Sequence, residues 1–529
     1  MKATFIGLVL SLVLASMTLA QPPAPPKVAD DDKQKLITIS PETTFIVEPL
    51  DHAGFPDYLE FLNRELNQGG IPSTENAAAV LLEIIDRDQP GLPLNVHYRA
   101  KLYQRLQVPL PAIDDEPYVS WFTYLEKAQS KTPDVPLGGF ETPAHEYPAS
   151  TPWTSKDRSL MTEWIESPGT RRALEHLEEM TSRPRFALPY LGSDDQDTMT
   201  NLSMILLPWA SYVRDLGRLL KTQAMYDLGE GRFEEASSRL IQLHRLAELH
   251  SQQMFVIEKL TSIAIDSTAC EADVIFAQDP DLPTEILKRH AKRLAELPPL
   301  DDMSHALSKA ERVLALNAVC MIAQLRLPKP PANQAEIERL AKELSGGNPI
   351  LSKLFSTLID DDVAIRNLNQ YFDRFVQISQ LPYWEREEAF EKMSQDFQLN
   401  AIESLTIPQM LLQSPQERGE MLAKQVFNQF AVLDHTTTSQ DRSRMKRELV
   451  HVVYALELYH RTHGNYPEEL SQLVPAQLTV IPRDRFSDQP LSYELKTGHY
   501  KLECAGYRPL LNGKPSPLKF TSTGWIESE

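Results

Sequence analysis

The feature that most constrains this chain is the repeated spacing of apolar residues between positions 213 and 270. Three successive stretches carry apolar residues three and four positions apart, the spacing that gives a helix one apolar face. The three stripes are Val213, Leu216, Leu220 and Ala224, then Ala236, Leu240, Leu243 and Ala247, then Val256, Leu260, Ile263 and Ala264. A Gly229-Glu230-Gly231 break separates the first two stripes. The pattern predicts antiparallel helix pairs.

Helical patterning continues through most of the chain, so we expect a mainly helical body over residues 45–440. Further helices are predicted over residues 284–297, 301–325, 334–344, 350–377 and 416–432. Hydrophobic residues make up 42% of the chain, enough to form a core. Only 20 of the 529 residues are glycine, which argues against glycine-rich nucleotide loops and against a large β-fold.

The period of the apolar pattern changes in the last part of the chain, beyond a further helix that begins near Asp441. Two short stretches alternate apolar with polar residues, which predicts a β-hairpin with one apolar face. The alternating residues are Leu491, Tyr493 and Leu495, then Tyr500, Leu502 and Cys504. A last strand is predicted within residues 518–526. We therefore expect a small α+β module, a helix with an antiparallel sheet, over residues 441–529.

Two resemblances support this division. The segment 224–236, which ends in Phe233-Glu234-Glu235-Ala236, resembles the inner turn of a tetratricopeptide hairpin, although no copies follow at a 34-residue period. Gly464-Asn465-Tyr466-Pro467, Leu473-Val474-Pro475 and Ile481-Pro482-Arg483-Asp484, with the Tyr493/Tyr500 hairpin, resemble the globular part of the type II secretion major pseudopilin. The same string is similar to the end of many uncharacterised exported proteins of planctomycete-type bacteria. The resemblance implies a long helix packed on a small sheet, and it names no activity.

The N-terminal twenty residues have the pattern of a signal peptide. Lys2 precedes an apolar run over residues 5–14, and Thr18-Leu19-Ala20 places small residues before a cut at Gln21. A proline- and aspartate-rich linker is predicted over residues 21–44. The sequence thus predicts a periplasmic or extracellular protein, and the alternative is an uncleaved segment that keeps the chain in contact with the membrane.

Charge and cysteine content exclude some classes of partner and fold. The formal net charge of −20 disfavours a nucleic-acid partner, because phosphate binding needs clustered Lys and Arg. The three cysteines, Cys270, Cys320 and Cys504, are too few and too widely spaced for a disulfide framework, although the sequence allows one disulfide bond.

No phosphate-binding loop, nucleophile elbow or zinc-binding helix motif occurs in the sequence. His244 and Glu248 lie four residues apart on one helix face and are the candidate metal ligands, with packing beside the apolar stripe as the alternative. Ser443 and Lys446 fit the S-x-x-K pattern, but they lie on the charged start of a helix. Trp164, Trp209 and Trp525 could line a glycan groove, or they could belong to the core. No cofactor is predicted.

Two functions follow from these observations. The first is a non-catalytic exported protein with an interaction or scaffold role, whose partner is another exported protein or an envelope component. The second is an extracytoplasmic hydrolase or metal-dependent enzyme whose site is built from dispersed carboxylates and histidines.

Overall fold

The fold was determined from a computed structural model of the chain. The structure describes residues 36–85, 96–109, 117–131, 151–192, 199–205, 207, 209–327, 331–355, 359–399, 409, 412–430, 434–496, 498–506, 518–521 and 524–527. The predicted signal peptide and residues 21–35 of the predicted linker lie outside the described residues, so both remain predictions. The described residues from Ile37 onwards form one compact unit. None of the helices in the described part of the chain is both long and apolar enough to cross a bilayer.

The predicted fold class is confirmed: the protein is mainly helical, with a small antiparallel sheet at its C-terminal end. The helices of the first part of the chain are α1 (Tyr58–Leu66), α2 (Ala77–Ile85), α3 (Val96–Leu106), α4 (Trp121–Lys131), α5 (Ser159–Glu166) and α6 (Pro168–Ser182). Ser167 caps α6 by accepting from the Thr170 amide, and Pro168 opens the helix where its missing N–H is not needed. Trp164 is buried here, as the core interpretation of the tryptophans predicted.

The central part of the fold is three successive long helices, α7 (Trp209–Gly229), α8 (Phe233–Ser251) and α9 (Val256–Ala277). They pack on one another, and α6 covers part of α8. The first two predicted stripes are confirmed, because all eight of their side chains are buried. The α7–α8 turn needs glycine at two positions. Gly231 has a φ of +74°, and a Cβ on Gly229 would lie 2.1 Å from the Trp153 carbonyl oxygen.

The third predicted stripe is wrong at three of its four positions. Val256 is buried, but Ala264 is exposed, and Leu260 and Ile263 are only partly buried. The buried face of α9 instead carries Glu258, Lys259, Ser262, Ile265, Asp266, Ala269, Cys270 and Asp273. Charged residues can occupy this face because each finds a hydrogen-bonding or ionic partner on a neighbouring element.

The next elements are α10 (Thr284–Glu296), α11 (Met303–Ala306), a π-helical turn (Leu307–Glu311), α12 (Arg312–Gln324), α13 (Gln334–Leu344), α14 (Pro349–Phe355), α15 (Asp361–Ser379), α16 (Tyr383–Asp396) and α17 (Pro415–Phe430). The single helix predicted over residues 350–377 is two helices. Asp360 caps the second of them by accepting from the Val363 amide, so the chain restarts there rather than continuing.

The long helix α18 (Asp434–His463) crosses the predicted boundary between body and module at residues 440 and 441. It packs against α9 and α10, and its inner face joins the same core as the stripes of α7 and α8. The buried residues of that face include Met445, Leu449, Val453 and Tyr454. The helix of the predicted module is thus an integral part of the body's core.

A four-stranded antiparallel sheet in the order β1 (Ser492–Lys496), β2 (His499–Glu503), β3 (Leu518–Thr521) and β4 (Gly524–Glu527) completes the fold. The predicted hairpin is confirmed, with Tyr493 opposite Leu502 and Leu495 opposite Tyr500. The single strand predicted over residues 518–526 is instead two antiparallel strands, β3 and β4, with Thr521 opposite Gly524.

Candidate functional site

The buried polar face of α9 meets polar side chains from three other helices. His244 comes from α8, His290 from α10, and Arg447 with Tyr454 from α18. Together with Asp266 and Asp273 of α9 and Ser237 of α8 they form one connected set, which we call the ionic network. These groups come together because all four helices direct one face into the same core.

His244 is at the centre of the ionic network and has no exposed surface. Its Nδ1 lies 2.8 Å from Asp266 Oδ1, and its Nε2 lies 2.7 Å from Asp273 Oδ2. A carboxylate accepts hydrogen bonds and does not donate them, so both ring nitrogens donate. The geometry therefore makes His244 an imidazolium cation held between two carboxylates.

Asp273 accepts hydrogen bonds from three side chains. Besides His244, it accepts from His290 Nε2 at 2.9 Å and from the Tyr454 hydroxyl at 3.2 Å. The Nδ1 of His290 faces the Ser237 Oγ at 2.9 Å. Nε2 of His290 faces a carboxylate and donates to it, so the other ring nitrogen, Nδ1, forms the hydrogen bond with the Ser237 hydroxyl. Every polar atom along this chain of contacts is satisfied.

Asp266 is paired with a second cation. Arg447 Nη2 lies 2.9 Å from Asp266 Oδ1, and the Ser443 hydroxyl lies 3.3 Å from Asp266 Oδ2. Two carboxylates thus face two cations, His244 and Arg447, so the ionic network is close to neutral as a whole. That balance is what allows charged groups to remain in the interior of a protein.

The electrostatics agree with this geometry. Burial opposes the charged form of His244, but Asp273 and Asp266 outweigh it and raise the pKa of the ring. Burial likewise opposes ionisation of Asp273, yet His244 and His290 hold its pKa far below the usual range. Nearby His451, largely buried and close to Arg447, has its pKa lowered to about 4, so it is neutral at pH 7. At neutral pH the charges of the ionic network therefore lie on the two carboxylates, Asp266 and Asp273, and on their cationic partners.

Among the described residues, His244, Asp266 and Cys270 form a group whose potential metal-ligand atoms all lie within 4.8 Å of one another. These residues do not fit a metal centre as they stand. Both His244 nitrogens already donate, Arg447 Nη2 lies 3.2 Å from His244 Nδ1, and burial raises the pKa of the Cys270 thiol well above its usual value. A metal ligand needs a deprotonated nitrogen or sulfur. The guanidinium of Arg447 already lies beside Asp266 and His244, where a bound metal ion would have to lie.

The predicted partner of His244, Glu248, has a separate set of contacts. Its carboxylate pairs with Arg245 and accepts from Gln252 Nε2 at 3.1 Å. The structure thus places His244 and Glu248 on the same helix but in different sets of contacts. Whether they bind metal remains a prediction that a titration has to decide.

The Ser237–His290–Asp273 series has the residue types of a hydrolytic triad. In such a triad the serine faces Nε2 of the histidine, whereas Ser237 faces Nδ1. Ser237 is 2% exposed, and His290 and Asp273 are fully buried. A reacting carbonyl has to come within about 3 Å of the serine oxygen, and these helices would have to separate to admit one. In this structure the three side chains therefore hydrogen-bond helices to one another in the core.

The S-x-x-K pair does not act as a unit either. Ser443 contacts Asp266, whereas Lys446 Nζ donates to Ser267 Oγ at 2.7 Å and to Glu271 Oε1 at 2.8 Å. Trp209, like Trp164, is buried in the core. Trp525 lies on β4, and its side chain is outside the described part of the structure. Cys270, Cys320 and Cys504 are all buried free thiols, so none of them is bridged.

A second polar cluster lies at the N-terminal end of α9. Glu258 accepts from the Tyr190 hydroxyl at 2.7 Å and from the Phe255 amide at 3.0 Å, and Glu311 accepts from the Val256 amide at 2.9 Å. These carboxyls satisfy amides at the start of α9, as caps do. Burial, with Glu258 adding to it, raises the pKa of Glu311 to about 7. Glu311 ends the π-helical turn, which directs it towards α9.

Sequence patterning identified His244 and missed its partners. Asp266 and Asp273 lie seven residues apart, which puts both on one face of α9, and that spacing was the available signal. His290, Ser237 and Arg447 give no local signal, since each lies on a separate helix and meets the others only through tertiary packing.

Comparison with known proteins assigns neither a family nor a function to this chain. No family model, no curated protein and no solved structure matches this chain. The resemblance to pseudopilins and to planctomycete-type exported proteins thus remains a prediction from the residues alone.

Proposed function

We propose that this chain is an exported, non-catalytic scaffold that binds another exported protein or an envelope component. The observation that supports the proposal is the sealed state of the ionic network. His244, Asp266 and Asp273, which could have contributed to a dispersed active site, are instead paired with one another and with Arg447 inside a four-helix core. Groups in that condition fix the arrangement of helices, which is a scaffold's requirement.

The neighbourhood of His244 also bears on the enzyme alternative. A general base needs contact with its substrate and a pKa near the working pH. Both ring nitrogens of His244 already face carboxylates, which raises the pKa of the ring and favours its protonated form, and neither His244 nor His290 has any exposed surface. Export itself rests on the signal-peptide pattern of residues 1–20.

A fluorophosphonate probe separates the two functions, because it labels a serine only when a neighbouring base activates it. We expect the native full-length protein to remain unlabelled and the Ser237→Ala variant to behave in the same way. Labelling of the native protein that disappears in Ser237→Ala would show a working triad and would contradict the scaffold proposal.

Partner capture tests the positive side of the proposal. Immobilised mature protein, incubated with the envelope fraction of its source at about 0.15 M salt, is expected to retain a defined component. The control bait is an unrelated exported protein of similar net charge. Recovery of the same material on both baits would contradict the scaffold role.

A further inference from the structure

The inner face of helix α16 is anchored to the rest of the protein. Arg386 on its inner face donates through Nη1 to Asp441 Oδ2 on α18 at 2.5 Å, and Met393 is fully buried. At the start of the helix, the ring of Tyr383 packs edge-on against Phe486, with the ring centroids 5.1 Å apart. These contacts hold α16 against the core and determine which of its faces points outwards.

The outer face of α16 carries a tryptophan. Each residue of a helix advances by about 100°, so Trp384, Glu387, Glu388 and Glu391 project to one side, opposite Arg386 and Met393. All three glutamates are exposed, and Trp384 is 47% exposed. Trp164 and Trp209, by contrast, are almost fully buried. An indole held in water on a rigid helix leaves a large apolar area uncovered, as in many protein–protein hot spots.

The same face has an excess of negative charge. Helix α16 carries five acidic residues and two basic ones, and one of the basic residues, Arg386, is buried in its pair with Asp441. Within the described part of the chain, Glu387, Glu388 and Glu391 make no ion pair. Their charges are therefore available to a partner.

This inference rests on the proposed scaffold function and names the chemistry of its partner. We propose that Trp384, Glu387, Glu388 and Glu391, here called the α16 face, form the docking surface for a basic, arginine-containing segment of another protein. A guanidinium stacks on an indole and forms bonds with carboxylates, so one partner side chain can use both features of this face.

The dimensions of the α16 face suit an extended segment. Trp384 and Glu388 are separated by about 6 Å along the helix axis, at about 1.5 Å per residue. Alternate side chains of an extended chain lie on one side, about 6.6 Å apart. An arginine stacked on Trp384 would therefore place the next-but-one side chain of the partner beside Glu388.

Charge argues for this occupant over others. A second copy of the chain would bring the same acidic face and a net charge of −20, which repels. Nucleic acids and anionic lipid surfaces are repelled in the same way. A basic segment alone matches both the charge and the exposed aromatic ring.

The test uses the full-length mature protein and a fluorescein-labelled peptide of sequence Arg-Ala-Arg-Ala-Arg-Ala with blocked ends. Fluorescence anisotropy is measured at about 0.15 M salt, and an Ala-Glu peptide of the same length is the negative probe. We expect Trp384→Ala to weaken binding about tenfold, as for the loss of a desolvated cation–π contact. The triple variant Glu387→Gln/Glu388→Gln/Glu391→Gln is expected to weaken it by at least as much.

A control with the same number and spacing of carboxylates separates a site from a general electrostatic field. Glu175, Glu178 and Glu179 on α6 are exposed and lie at the same mutual spacings, but Glu178 pairs with Arg239 and Glu179 with Arg183. Changing all three to Gln removes the same charge, and we expect binding within twofold of the native protein. The proposal is overturned if this control weakens binding as much as the α16 triple, or if the native protein does not bind the arginine peptide.

The partner-capture experiment distinguishes a failure of the proposed docking surface from a failure of the proposed scaffold role. If the native protein captures its envelope component and Trp384→Ala captures it equally well, the α16 face is wrong and the scaffold role stands. If native capture fails, the scaffold role fails, whatever the peptide shows.

Discussion

Two regions of this protein bury helices against one another with opposite chemistry. Around His244, four helices meet through two carboxylates and two cations. Around Phe427, helices α15 and α17 meet through aromatic rings: the ring of Phe427 lies 5.4 Å from that of Phe372 and 6.0 Å from that of Phe375, centroid to centroid. We call the second region the aromatic core.

The difference shows what each region can contribute. The aromatic core gains free energy from apolar burial and tolerates small shifts, because dispersion contacts have little directionality. The ionic network loses solvation on burial and recovers it through directional hydrogen bonds and ion pairs, although the buried Nε of Arg447 has no partner among the described residues. It therefore selects one arrangement of α8, α9, α10 and α18 rather than adding much stability. That is the property we assign to a scaffold.

The largest expected effect comes from breaking the ionic network. Asp273→Ala removes the acceptor of His244, His290 and Tyr454 at once and should lower the free energy of unfolding by about 5 kcal/mol at pH 6. The raised pKa of His244 means that its contribution is full below pH 6.5 and is lost as the pH rises through the folded-state pKa. Urea unfolding at pH 6 and pH 8 should thus show a smaller loss at pH 8. An equal loss at both would mean that His244 is not charged.

A slightly smaller effect is expected from the aromatic core. Phe427→Ala leaves a cavity among Tyr371, Phe372 and Phe375 and should cost about 4 kcal/mol. No charge changes, so the same urea experiment should give one value at pH 6 and pH 8. A pH-dependent loss here would remove the contrast between the two regions.

Glu311 sharpens the comparison, because it is a buried carboxyl with an amide partner and a like-charged neighbour. Its pKa of about 7 exceeds the usual 4.5, so its protonated form stabilises the fold fully below pH 4.5 and that stability is lost as the pH rises to 7. Glu311→Gln keeps an oxygen for the Val256 amide and should be more stable than the native protein at pH 8, by up to about 3 kcal/mol.

The control for this prediction is Glu338→Gln on α13, whose side chain is exposed. We expect its stability to follow the native protein at every pH, within about 0.5 kcal/mol. If Glu311→Gln behaves like this control, the carboxyl is ionised in the folded protein without cost.

The smallest expected effect is that of zinc. A site with a Kd of 1 μM would stabilise the fold by about 2.7 kcal/mol at 100 μM free metal. Because Arg447 and two donating ring nitrogens surround His244, we expect no measurable shift of the melting temperature at pH 7. A shift that disappears in both His244→Gln and Glu248→Gln would instead establish the metal site predicted from the sequence.

The sequence predicted the architecture well because apolar periodicity reports which helix faces are buried. The stripes of α7 and α8 and the β1–β2 hairpin follow from it directly. The break before Asp361 was missed, since Asp360 can cap a new helix or lie on the surface of an existing one.

The site was less predictable for a physical reason. A stripe of apolar letters led to Leu260 and Ala264 on α9, while the buried face holds Asp266 and Asp273. A charged residue in a sequence is interpreted as solvent-exposed unless its partner is known. The partners of Asp266 and Asp273 lie on α8, α10 and α18. Only the tertiary structure shows that the charges cancel.

The most direct test of the central claim is the protonation state of His244. Protein labelled with ¹⁵N-histidine, with His244→Gln used to assign the signals, allows both ring nitrogens to be followed by NMR from pH 5.5 to pH 8. We predict that both nitrogens of His244 stay protonated across this range, with ring protons that exchange slowly with water. A His244 ring that titrates near pH 6.5, or whose protons exchange rapidly, would show an open site and would contradict the sealed scaffold.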